Sequence, residues 1–235
     1  MSNFTKEQLR ELHGRPEPSL GLAQAGRLAE RLRRLDGYRQ AKQLFVDPSP
    51  LLKQARLNAL LDGKVLVMPG PGLKDGFYRL DPYTIKFAQL AKAVAGRDLP
   101  EFGQRLASRP EVSALEISLL VGEAWALDRW GFFLGEGKGF FDLSVALLAE
   151  LGGLVKGYRV VVALTDPAQP VNDLPADSWD VPADLMLTAE GEVLLSREGA
   201  RRRPEIVWEG LTLDRVRRIT PLWKLYVEQG RDRQV

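Results

Sequence analysis

Residues Gly131 to Asp142 read Gly-Phe-Phe-Leu-Gly-Glu-Gly-Lys-Gly-Phe-Phe-Asp, and they carry the plainest chemistry in the chain. Glycines at 135, 137 and 139 open backbone conformations closed to residues with a β-carbon, so successive N–H groups can converge on an anion. The segment follows an apolar run, Ile117 to Val121, that reads as a buried strand. It precedes Leu143 to Leu151, where leucines at 143, 147, 148 and 151 have helical spacing. A helix beginning behind the loop adds positive potential to it. Lys138 offers a full charge, and Asp142 an oxygen ligand for Mg²⁺. The spacing is neither the dinucleotide fingerprint nor a Walker A loop. From these residues alone, a phosphate site and a plain tight turn between strand and helix both stand.

The same residues resemble the 5-formyltetrahydrofolate cyclo-ligase family. Its signature Gly-x-Gly-x-Gly-Tyr-Tyr-Asp after Arg-Leu is similar to Leu134 through Asp142 here, with Phe140 and Phe141 in the tyrosine places and Phe133 in the arginine place. Near the start, Lys6-Glu7-Gln8-Leu9-Arg10 resembles the family's Lys-x-x-Leu-Arg, whose basic residues reach nucleotide phosphates. Further on, Leu174 to Asp184 resembles a Pro-x-x-x-His/Asn-Asp-x-x-x-Asp segment, with Trp179 in the His or Asn place and Asp180 and Asp184 retained. The resemblance implies ATP and Mg²⁺ as cofactors. It implies nucleotide contacts from Lys6, Arg10, Gly135, Glu136, Gly137, Lys138, Gly139, Phe140 and Phe141, catalytic roles for Lys138 and Asp142, and Asp142 with Asp180 as metal ligands.

The activity implied is ATP-dependent closure of 5-formyltetrahydrofolate to 5,10-methenyltetrahydrofolate. The alternative is a nucleotide- or phosphate-binding module of the same fold that has lost folate chemistry or acts on another metabolite. Tyrosine hydroxyls and a guanidinium are replaced by phenyl rings, and Asp47-Pro48-Ser49-Pro50 stands where the family carries a glutamate that anchors folate. Gly14-Arg15-Pro16, Asp47-Pro48 and Gly63-Lys64 resemble a divergent branch, the methenyltetrahydrofolate synthetase domain-containing proteins, as does the tail from Ile206 to Leu222.

Composition bounds the partners. With 235 residues, 45% of them hydrophobic, the chain is long enough for one sizeable core and reads as a single domain. Its core is expected over about residues 1–196, with a C-terminal strand–helix extension over 197–235. A net charge of +2 is too near zero to argue for nucleic acid, and the run Arg201-Arg202-Arg203 reads as a solvated turn. Cysteine is absent and His13 is the lone histidine, which excludes disulfides and thiolate chemistry and disfavours a zinc site. No run approaches the ~18 apolar residues of a membrane span, and the N-terminus lacks an apolar signal core. The expected protein is cytoplasmic, a monomer or homodimer, and acts on a small folate-type molecule together with ATP.

The elements that must position these groups follow from periodicity. Lys6 to Leu12 and Ala23 to Leu35 read as amphipathic helices, the first stopped by Gly14 and Pro16. Gln43 to Val46, Lys64 to Met68, Phe77 to Leu80, Val160 to Leu164 and Leu185 to Thr188 read as strands, with Glu192 to Leu195 closing a hairpin through Glu190-Gly191. Leu51 to Leu61 and Ile85 to Ala95 read as helices, and Gly103 to Pro110 as a loop or helix turn. Alternating β and α segments predict an α/β fold, a mainly parallel sheet flanked by helices, with ligands at the carboxyl ends of the strands.

Overall fold

The computed structural model describes residues 4–13, 18–164, 173–195 and 203–234. In it α1 (Lys6–His13), α2 (Pro18–Arg34) and α3 (Asp36–Gln40) lead into β1 (Gln43–Val46). Then come α4 (Lys53–Leu61), β2 (Val65–Pro69), β3 (Phe77–Leu80), α5 (Leu90–Ala93), α6 (Leu99–Phe102), β4 (Gln104–Leu106) and α7 (Arg109–Ser113). The second half holds β5 (Ile117–Ala124), the short β6 (Ala126–Leu127) and β7 (Phe133–Leu134), α8 (Phe140–Glu150), β8 (Leu154–Leu164), β9 (Leu185–Leu187) and β10 (Glu192–Leu194). It ends with α9 (Leu213–Arg218) and α10 (Thr220–Glu228). Eight strands form one sheet in the order β10-β9-β8-β5-β1-β2-β3-β4, and β6 pairs with β7 apart from it. The pairs β1–β2, β1–β5, β5–β8 and β8–β9 are parallel, as the alternation predicts. Within this sheet antiparallel pairing is confined to β3 and β4 at one edge and β10 at the other.

The central strands carry continuous apolar runs, Leu44 to Val46, Leu119 to Val121 and Val160 to Leu164, the pattern of strands covered on both faces. Leu44 and Val46 of β1 face one core with Leu119 and Val121 of β5 and Val161 and Ala163 of β8. Phe45, Leu120, Val160 and Val162 face the other. Successive side chains of a strand point to opposite faces, so this partition is the two-residue period made visible. A register shift between Ile117 and Leu119 turns Ile117 to the same side as Leu120. The first face is packed by α2, through Ala25, Leu28, Ala29 and Leu32, and by Ala55 and Ala59 of α4. The second is packed by Leu143, Val145, Leu147 and Leu148 of α8 together with Val216, Ile219, Leu222 and Leu225 of the C-terminal extension.

That extension departs from the strand–helix expectation. Ile206 and Val207 join no strand, Trp208–Gly210 is a single 3₁₀ turn, and two helices follow. Trp208 finds its burial against a helix, its ring 5.4 Å from Tyr226, and Thr212 caps α9 by accepting from the Arg215 N–H at 3.3 Å. The segment Gly103 to Pro110 also differs, holding β4 and the start of α7. Leu106 alone of the three β4 residues is buried, too little apolar alternation to signal a strand. Ile85 to Ala95 yields only a 3₁₀ turn and the four-residue α5. Gly14-Arg15-Pro16, Arg201 and Arg202 lie outside the described residues. No described helix is long and apolar enough to cross a membrane.

One polar group holds two connecting loops against the carboxyl end of the sheet. Arg56, on α4, is 1% exposed. Its guanidinium donates to the carbonyls of Asp47 at 2.6 Å, Ser49 at 2.8 Å and Val94 at 3.0 Å, and burial pulls its pKa down to about 10. Arg56→Met keeps much of the volume but strands those carbonyls. It is expected to cost on the order of 3 kcal/mol of stability in urea denaturation. A loss below about 1 kcal/mol would mean that water replaces the guanidinium there.

Candidate functional site

Between β5 and α8 the chain makes a small detour. Trp125 donates to the Leu134 carbonyl at 2.7 Å, closing the β6–β7 hairpin. The buried Asp128 carboxylate accepts from the N–H groups of Trp130, Phe132 and Leu174 at 2.8–3.0 Å, fixing the hairpin's tip. Gly131 is needed here, because a β-carbon at its φ of +90° would lie 2.4 Å from the Ala183 carbonyl oxygen. The hairpin delivers Gly135 to Gly139 to the start of α8, beside the carboxyl end of β5.

The loop's backbone is held from its carbonyl side. Arg10 of α1 donates from Nε to the Gly135 carbonyl at 3.0 Å and packs so closely that a β-carbon on Gly137, φ +89°, would be 3.0 Å from the guanidinium. Gly139 adopts the left-handed conformation, φ 62° and ψ 23°, as the N-cap of α8, with no side chain capping the first turn. A helix start left uncapped by its own side chains is open to an external anion.

Asp142 sits in that first turn and accepts from the Val181 N–H at 3.0 Å. Burial lifts its pKa to about 6, the Val181 bond opposing and the neighbouring Asp180 adding to the rise. Asp180 in turn is bonded to the Lys6 ammonium and accepts from the Asp177 N–H at 2.6 Å. Lys6 also pairs with Asp177 at 2.7 Å. Lys6 and Asp180, to which the sequence assigns separate tasks, are thus partners of each other beside Asp142. Among the described residues no three metal-ligating side chains converge, although Mg²⁺ commonly takes one or two carboxylates and leaves its other positions to phosphate and water.

Lys6, Arg10, the loop from Gly135 to Asp142 and Asp180 line one cleft of about 860 Å³, within the range small-molecule sites occupy. Lys138 is exposed on its rim, paired with Glu136 at 3.1 Å. Phe141 is packed edge-on against Phe45 at 6.0 Å and Phe133 at 5.7 Å, and it fills the space above Gly122, where a β-carbon would come within 2.7 Å of its ring. Phe140 lies under the Arg215 guanidinium, 5.2 Å from ring centre to guanidinium carbon. The opposite wall is made by Asp47 and Pro48, by the turn Pro69 to Leu73, and by Gly96 and Arg97.

Two lining residues, Glu123 and Arg97, were not singled out from sequence, and Asp47 was named there only as standing in place of the family's glutamate. Asp47 stands at the end of β1 with its pKa pushed up to about 7 by burial, lowered by Arg56 and raised by Glu123, Glu136 and Asp142. Glu123 was legible as a lone acid in the apolar β5 run. Arg97 has no such signal, since its place at the cleft depends on Arg56 holding the Val94 carbonyl three residues before it.

Comparison with known proteins follows the same lines. The sequence model of the 5-formyltetrahydrofolate cyclo-ligase family matches residues 3–189. A methenyltetrahydrofolate synthase domain-containing protein of Bos taurus is 29% identical over 170 residues, 70% of this chain and 43% of its own length. Its Danio rerio namesake is 25% identical over 232 residues, 95% of this chain and 58% of its own, so similarity runs past residue 189 into the extension. The chain therefore spans about half the length of these relatives. The structure of Aquifex aeolicus 5,10-methenyltetrahydrofolate synthetase superposes with a TM-score of 0.52 at 18% identity, over 84% of this chain and 94% of that one, a likeness of fold.

The buried carboxyls make stability depend on pH. Asp47 titrates at about 7 in the folded protein against an ordinary 3.8, so the native state holds a proton that the unfolded chain releases. Stability should therefore be greatest near the acid end of this window and fall as pH rises from about 4 to about 7. Asp47→Asn should blunt that fall, as read from urea midpoints at pH 5 and pH 8. A variant whose midpoints drop as steeply as the parent's would show that Asp47 is ionised in the native state throughout.

Proposed function

The chain belongs to the 5-formyltetrahydrofolate cyclo-ligase family, and from that premise we propose that it binds ATP with Mg²⁺ at the glycine loop and closes 5-formyltetrahydrofolate to 5,10-methenyltetrahydrofolate. The observation that carries this reading is the open cleft of about 860 Å³ between the loop and the strand ends at Asp47 and Pro69 to Gly72. A module that only held a phosphate would have no need of that second wall. When bound, ATP with its metal would supply the γ-phosphoryl group to the formyl oxygen, leaving ADP, so that this oxygen could depart as phosphate when N10 closes the ring.

The residues present fit those groups. Phosphate oxygens find the uncapped first turn of α8 and the N–H groups of the loop, with Lys138 adding charge from the rim. A hard cation finds Asp142 and Asp180 in one lining, and a pKa of about 6 leaves Asp142 ionised at neutral pH. Arg10 acts on the loop's carbonyl rather than on the phosphate directly. Positioning and charge spreading are most of what a protein contributes to phosphoryl transfer. Phe133, Phe140 and Phe141 give the neighbouring wall apolar faces on which a flat ring can pack, without hydroxyls to orient it.

The loss of those hydroxyls sets the expected rate. Each missing substrate hydrogen bond forfeits on the order of 1 kcal/mol, so ATP binding should be well preserved while turnover is slow. Calorimetric titration with ATP in the presence and absence of Mg²⁺, followed by an assay of methenyl formation, tests the reading. Asp142→Ala should weaken ATP binding chiefly when Mg²⁺ is present. Binding of ATP·Mg with no methenyl product at any enzyme concentration would favour the module over the enzyme, and absence of ATP binding would remove both.

A further inference from the structure

We propose that Arg215, on α9 of the C-terminal extension, is a positioning residue of the anion site, fixing the direction of the peptide between Lys138 and Gly139. The inference rests on reading the glycine loop as the phosphate cradle, and it places a working part of the site beyond residue 189, where the family model's match ends.

The geometry is specific. Arg215 donates from Nη2 to the Lys138 carbonyl at 2.5 Å, while its guanidinium lies over the Phe140 ring. Lys138 and Gly139 form a partition between two spaces, the large cleft and a smaller cavity of about 200 Å³ that Arg215 lines together with Trp179 and Glu205. Arg215 borders the small cavity and not the cleft. In a planar trans peptide the N–H is antiparallel to the carbonyl. Drawing the Lys138 carbonyl toward Arg215 therefore turns the Gly139 N–H away from the small cavity, toward the cleft where an anion would bind.

Such a peptide needs holding. Rotation about it is governed by ψ of Lys138 and φ of Gly139, and glycine sets little steric resistance to reversal. The left-handed φ of +62° at Gly139 is one of several conformations open to it. Arg10 performs the matching task at the other end of the loop, on the Gly135 carbonyl. Arg215 is itself well anchored, since Val216 and Ile219 are each 2% exposed in the core shared with α8. Among the described residues no carboxylate forms an ion pair with it, so its charge also adds positive potential behind the loop. Burial lowers its pKa from the ordinary arginine value.

The test compares Arg215→Met and Arg215→Lys with Arg217→Met, a control on the same helix whose guanidinium lies over Trp223 away from the loop. Backbone hydrogen exchange of residues 136–141 is measured in the ligand-free protein, with urea midpoints and ATP·Mg titration alongside. Arg215→Met should speed exchange in the loop several-fold and weaken ATP·Mg binding on the order of tenfold, with the urea midpoint little changed. Arg215→Lys, which retains one donor but not the planar cover on Phe140, should give smaller effects in the same direction. Arg217→Met should change neither. Loop exchange in Arg215→Met equal to the parent's would overturn the positioning role, and faster exchange with unaltered ATP·Mg affinity would overturn its bearing on the site. If the parent protein binds no ATP·Mg, the cyclo-ligase reading fails, while the exchange data still decide what Arg215 does. Should Arg215→Met not fold, the lysine variant gives the same comparison.

Discussion

A loop of alternating glycines has no preferred shape, and the site depends on what removes that freedom. Gly137 and Gly139 take positive φ, which glycine permits but does not select. Selection comes from two guanidiniums that grip carbonyl oxygens, Arg10 on Gly135 and Arg215 on Lys138. They are separated from their acceptors by 125 and 77 residues, from opposite ends of the chain. Closing contacts over such distances is entropically costly, and the burial of Leu9 beside Arg10 and of Val216 beside Arg215 offsets it. Each arginine is thus placed by an apolar neighbour one residue away. The fold and the site are the same set of contacts viewed at two distances.

The opposite wall repeats the device. Arg56 gathers carbonyls of Asp47, Ser49 and Val94, so the loops after β1 and α5 are shaped by a buried cation as the glycine loop is by half-buried ones. Arginine suits this work because its planar fork presents several donors at fixed angles and resists deprotonation when desolvated. The consequence is a cleft whose loops are held by arginines bonded to the protein's own carbonyls, while Asp47, Glu123, Asp142 and Asp180 supply acids to its lining. Desolvation and repulsion from neighbouring acids hold Asp47 and Asp142 above the usual carboxylate range, and Lys6 offsets part of this at Asp142. An acid cluster of this kind gains from the arrival of a cation.

Much of the fold was legible because its information is local. The strands Gln43–Val46 and Phe77–Leu80 have the bounds their sequence suggests, since apolar runs ended by Pro or Gly admit little else. The short β4 and the helical tail were not legible, the first because one buried residue makes no pattern, the second because Trp208 packs on Tyr226, 18 residues later, which itself stacks on Trp223. The same divide runs through the site. The glycine loop, Lys6, Arg10, Asp142 and Asp180 carry motif spacing and come together in one cleft. Arg215 and Arg56 bond to backbone carbonyls, and a carbonyl is present at every residue, so no spacing in the sequence marks the partner.

That distinction between backbone and side-chain recognition explains why this chain keeps one half of the family pattern more fully than the other. A cradle of N–H groups persists under any side-chain change that the φ angles tolerate, and here the constrained positions are Gly137 and Gly139. A hydroxyl's hydrogen bond is lost with a single oxygen, and Phe140 and Phe141 stand where the family pattern has tyrosines. Phe141 also cannot be judged as a site residue alone, because its ring closes the space over Gly122 and bridges Phe45 to Phe133. An oxygen added to that ring would have to reach the cleft or find a partner within the aromatic cluster, since a buried hydroxyl without one is costly. Phe140, held between the loop and Arg215, is bound instead to the geometry of the cradle. Adjacent in sequence and alike in chemistry, the two phenylalanines answer to different constraints: the packing of the sheet for one, the shape of the glycine loop for the other.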